Sequence, residues 1–80
     1  MHELAVAQGI VDQVEARAAG RRVLKVTVEI GALTCVSKDA LEFSFELVAE
    51  STAAHGAELE IFAVPGDALN IRSMEVEALG

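Results

Sequence analysis

Tryptophan and tyrosine are absent from this chain, and its 80 residues include one proline, one cysteine and three phenylalanines. With so few aromatics and 52% hydrophobic residues, the core has to be packed mainly from Val, Leu, Ile and Ala. The lone Cys35 can neither close an internal disulfide nor complete a Cys-x-x-Cys pair, which excludes a disulfide framework and a structural thiolate zinc site. Basic residues are scarce too: six stand against 13 acids, a formal net charge of -7. That balance disfavours phosphate backbones and anionic lipid, so neither nucleic acid nor membrane is an expected partner. No apolar run is long enough to cross a bilayer and no secretory signal pattern is legible, so the expected location is cytoplasmic. The glycines are dispersed, without a G-x-x-x-x-G-K phosphate loop.

What is present reads as one small α+β domain over residues 1–80, in the order α-β-α-β-β. Leu4, Ala7, Val11, Val14 and Ala18, joined by Ile10, recur at steps of three and four, predicting a helix from Glu3 to Ala19. Gly9 is a costly residue in that helix, which suggests close packing against a neighbour, and Gly20 stops it. "RRVLKVTVEIG" alternates as a strand, with Leu24, Val26, Val28 and Ile30 inward and Lys25, Thr27 and Glu29 outward. Ser37 caps a second helix expected over 38–51, whose inner stripe of Leu41, Phe45 and Val48 is widened by Ala40, Phe43 and Leu47. Glu42, Glu46 and Glu50 form an acidic ridge on it, either a solvated face or a docking surface for a basic partner.

"AELEIFAV" and "LNIRSMEVE" read as two strands joined by the short turn "PGD". Leu69 and Ile71 are out of phase with Met74 and Val76, which predicts a bulge near Arg72 and Ser73. Phe62 and Val64 fall on the otherwise polar side and form a small exposed patch. The expected architecture is a three-stranded sheet with both helices packed on one face.

The chain offers little catalytic chemistry. Cys35 has two histidines to draw on but no evident orienting group, and reads as a small filler in a turn; the carboxylates lie on wet faces; His55 is explained by a helix end. His2 differs because its chemistry is local. The α-amine of Met1, the imidazole and amide of His2 and the amide of Glu3 can form adjoining chelate rings. A planar, nitrogen-rich set of this kind favours Ni(II) or Cu(II) over Zn(II), which prefers a tetrahedron. Protons compete for the same nitrogens, so acid weakens such a site. The plain alternative is a frayed terminus without a role.

"MHEL", "VTVEIGALTCVSKDALEFSFELV", "GAELEIFAVPG" and "IRSMEVE" together resemble the HypA family of nickel metallochaperones, which serve [NiFe]-hydrogenase maturation, over almost the whole chain. The resemblance implies a non-enzymatic carrier that binds Ni(II) through Met1, His2 and Glu3, with the Glu3 side chain in support. It implies delivery to a HypB-like maturation GTPase or to the hydrogenase large-subunit precursor. Members of the family carry a zinc-binding insert with two Cys-x-x-Cys pairs between the last two strands. Here "AVPGDALNIRS" closes that gap without cysteine, near Pro65 and Gly66. The expectation is a nickel-binding domain without zinc, with Phe62 and Val64 as surface such an insert would cover. A metal-free protein-interaction module of the same fold is the alternative.

Overall fold

The computed structural model describes residues 2–78. Helix α1 (Glu3–Ala18) leads into β1 (Val23–Gly31), a 3-10 turn (Ala32–Thr34), α2 (Lys38–Ala49), β2 (Glu58–Val64) and β3 (Leu69–Val76). The element order and the α+β class are those the sequence predicts. The strands form one sheet in the order β2-β1-β3, with β1 parallel to β2 and antiparallel to β3. The two strands joined by the short Pro65–Gly66–Asp67 turn therefore do not pair with each other; β1 lies between them. The connection passes over the end of β1, where the Gly31 amide donates to the Ala68 carbonyl at 2.7 Å and the Leu33 amide to that of Gly66 at 2.8 Å.

The core lies between the sheet and the helices. Val6, Ala7, Ile10, Val11, Val14 and Ala18 of α1 meet Leu41, Phe45 and Ala49 of α2 above Val26, Val28 and Ile30 of β1. Ile61, Ile71, Met74 and Val76 flank it, partly buried. Arg72 is the extra residue where the β1–β3 register shifts, since Thr27 faces Ser73 while Val28 faces Ile71. The predicted bulge is there, and it returns both halves of β3 to the core face.

Several inward assignments are overturned. Leu24 is exposed and Val23 is buried instead, because a second register shift between Val23 and Lys25 turns the start of β1 over. Phe43 and Leu47 are exposed at 64% and 52%. Each lies two residues from members of the buried row Leu41, Phe45 and Ala49, about 200° around the helix, so both point away from the core. Leu4 shares the angular position of Val11, yet nothing covers it in the first turn and it too is exposed. Gly9 has no neighbour within 4 Å of where a Cβ would stand; it borders an apolar groove between α1 and β3 and is not a close-packing site.

The ends of the helices also differ from expectation. Ala19 takes the left-handed conformation after α1, with Gly20 following at φ 87°. Helix α2 stops at Ala49, where the Thr52 hydroxyl and amide both donate to the Ala49 carbonyl, at 2.6 and 3.0 Å. Ser37 caps the other end as predicted, its hydroxyl accepting the Ala40 amide at 3.3 Å.

Two contacts from α1, to the residues that flank α2, set the direction of the helices. The Glu3 carboxylate accepts the amide of Ser37, and the Glu15 carboxylate that of Ala53. Start lies beside start and end beside end, so α1 and α2 run parallel.

Candidate metal centre

His2 is the N-cap of α1, with extended backbone at φ -80° and ψ 112°. Its carbonyl accepts the Val6 amide at 3.1 Å, opening the helix. Its imidazole makes no capping hydrogen bond and is exposed. Among the described residues this side chain has no hydrogen-bond partner. The first amides of a helix also lack intrahelical partners, so the backbone nitrogens at this end are not consumed by the helix ladder.

Glu3 is placed differently. Its Oε2 lies 2.9 Å from the Ser37 nitrogen, across 34 residues of chain. The carboxylate thus sits at the starts of two parallel helices, each of which carries partial positive charge on its unpaired amides. The Ser37 amide first, and then the residue's own amide, hold the Glu3 carboxyl below its ordinary value. Glu3 is an anchor between the terminus and α2, and the side chain is already engaged.

The sequence names Met1, His2 and Glu3 as ligands. His2 and Glu3 are adjacent at the open end of the helix pair; Met1 lies outside the described residues. Among the described residues, no group of three or more His, Cys, Asp or Glu side chains stands close enough to hold a metal ion.

Of the other candidate side chains, Cys35 lies two residues before Ser37 and so at this same end, while His55 does not. Cys35 is exposed in a left-handed conformation at φ 57°, closing the 3-10 turn, so it is not the packed filler expected. His55 is not at the end of α2 but six residues beyond it, exposed, in a shallow depression with Gly20 and Arg22. It belongs to the far end of the parallel helices, about 24 Å from their starts at 1.5 Å per residue. The two histidines cannot share an ion. Ser37 is the residue whose second role the sequence concealed. Its hydroxyl reads as a cap, but no local pattern pairs its amide with a carboxylate 34 positions earlier.

A family model described as "Hydrogenase/urease nickel incorporation, metallochaperone, hypA" matches residues 1–76. The chain belongs to the HypA family. Hydrogenase maturation factor HypA of Geobacter metallireducens is 50% identical over 66 residues, 82% of this chain and 60% of its own length. Hydrogenase maturation factor HypA 2 of Bradyrhizobium diazoefficiens is 51% identical over 71 residues, 85% of this chain and 63% of its own. The chain spans about three-fifths of the length of these curated HypA relatives. The family is described as one of metallochaperones for nickel incorporation, the class the sequence suggests.

Proposed function

We propose that this chain is the nickel-carrying domain of a HypA-type metallochaperone, holding Ni(II) as cargo through the Met1 amine, the His2 imidazole and amide, and the Glu3 amide. The observation that carries the reading is the exposed, uncommitted imidazole of His2 at the first turn of α1, beside the anchored Glu3. Two helix starts present partial positive charge, which repels a dication. The Glu3 carboxylate offsets that charge without occupying a coordination position, and deprotonated amide ligands add further negative charge. Anchoring Glu3 to α2 also fixes one end of the chelate, while the exposed His2 imidazole can release the ion. Delivery then goes to the hydrogenase maturation machinery, with a HypB-like GTPase and the large-subunit precursor as recipients by resemblance.

The β2–β3 connection closes in four residues, 65–68. A connection this short, at the point where the resemblance puts a zinc insert, supports the reading of a nickel domain that operates without zinc. A nickel titration of the chain with a free Met1 amine, followed by calorimetry and visible absorption, tests it. One-to-one binding with a planar-nitrogen spectrum is expected, lost in His2→Ala and in a version extended at the N-terminus. Equal binding by all three proteins would sink the assignment.

A further inference from the structure

A groove of about 390 Å³ runs between α2 and β2. Its floor is apolar, formed by Phe45, Ala49, Ala54 and Leu59, and its rim carries Glu42 and Glu46 from the helix and Glu58 from the strand. No lysine or arginine lines it. Glu42, Glu46 and Glu58 are all exposed; Lys25 stands 3.8 Å from Glu58 but lies closer to Glu60, at 3.3 Å, and the Arg22 guanidinium lies 3.6 Å from where a Cβ on the lining Gly56 would stand. Next to the acidic row, on the outward side of α2, Phe43 and Leu47 stand one turn apart with most of their surface in water.

We propose that this groove and the adjoining Phe43–Leu47 ridge bind a basic, amphipathic segment of a partner protein, with a lysine or arginine side chain lying in the groove. The chemistry matches at both ends of such a side chain. Its methylene stem covers the apolar floor while its charged head meets the Glu42 and Glu46 carboxylates of α2, with Glu58, which is shared with Lys25, on the opposite rim. The apolar positions of the same segment cover Phe43 and Leu47, which a soluble surface otherwise leaves exposed at a cost. Competing occupants fit less well. The carboxylates are too far apart to gather around a bare metal ion; nucleic acid and anionic lipid are repelled; and a second copy of this chain brings six bases against 13 acids.

The probe is a labelled helical peptide of leucine and lysine arranged on opposite faces, read by fluorescence anisotropy against the whole chain at low and raised salt. A peptide of the same composition with scrambled order controls for charge alone. The triple variant Glu42→Gln, Glu46→Gln, Glu58→Gln removes the rim, and Glu29→Gln, Glu75→Gln, Glu77→Gln removes as many charges from other surfaces. Binding should fall roughly tenfold or more in the rim variant and little in the control variant, with a shallower salt dependence in the former. Phe43→Ser with Leu47→Ser should weaken the amphipathic peptide but not the scrambled one. Unchanged circular dichroism excludes unfolding as the cause. Equal losses in the two charge variants, no binding by the parent chain, or self-association that the rim variant abolishes would each overturn the proposal. Nickel stoichiometry should be the same in all of these variants, which keeps the groove and the terminal site separable.

Discussion

Replacing Gly31 by alanine tests the crossing that ties the sheet together. Gly31 has φ -74°, a value any residue adopts, so the need for glycine is a need for space. A Cβ there would stand 2.6 Å from the Gly66 carbonyl carbon and 2.6 Å from the Ala68 nitrogen, and closer still to the Gly66 oxygen. All three are backbone atoms, which cannot swing away as a side-chain tip would. Relief requires lifting residues 65–68, and that breaks the hydrogen bonds from the Gly31 and Leu33 amides at 2.7 and 2.8 Å. Two such bonds are worth about 1–3 kcal/mol net. Overpacking strain adds about 1–3 kcal/mol, so the loss should be about 2–6 kcal/mol. A domain of this size has roughly 4–12 kcal/mol to lose, and each kcal/mol lowers its melting temperature by about 4–8 °C. Urea and thermal unfolding followed by far-UV circular dichroism would read the change. A loss below about 1 kcal/mol, within the range of an ordinary surface substitution, would refute the crossing.

Gly9→Ala should act in the opposite direction. Nothing stands within 4 Å of its Cβ position, so the gain in helix propensity of about 0.8–1 kcal/mol should appear undiminished as a higher urea midpoint; a lower midpoint would mean that the groove beside α1 is closed. Lys25 has a pKa raised above 10.5, chiefly by its hydrogen bond to Glu60 and the charge of that residue. Its stabilising contribution should be fully present below pH 10.5 and fade as pH rises through the folded-state value. The advantage of the parent chain over Lys25→Gln in thermal melts should therefore shrink on the alkaline side and with added salt; an advantage that grows there would contradict the pairing.

The helices, the Ser37 cap and the Arg72 bulge were legible because each depends on residues within a turn or a strand's length. The bulge followed from a phase error between Leu69–Ile71 and Met74–Val76, which only an extra residue can reconcile. The same reasoning misplaced Leu24, since the shift that turns it outward is imposed by pairing with β3 and leaves no mark in β1 itself. Phe43 and Leu47 misled because hydrophobicity was allowed to outvote angle. Two residues from the buried row is the far side of a helix.

At the terminus, the donor set proposed for Met1 and His2 is local and rests on the chemistry of the sequence alone. The anchoring of Glu3 was not. Its partner, the Ser37 amide, comes within reach only because α1 and α2 lie parallel on one face of the sheet.

The sequence by itself determined the order α-β-α-β-β, the aliphatic core, the acidic surface and the nitrogen-donor pattern at the start of the chain. These follow from composition and short periodicities. Only the tertiary structure decided that β1 is the central strand, that residues 65–68 cross its end against Gly31, and that Glu42, Glu46 and Glu58 share one groove. Each of these depends on which distant segments meet, a choice made by burying all the apolar faces at once and carried by no single stretch of sequence.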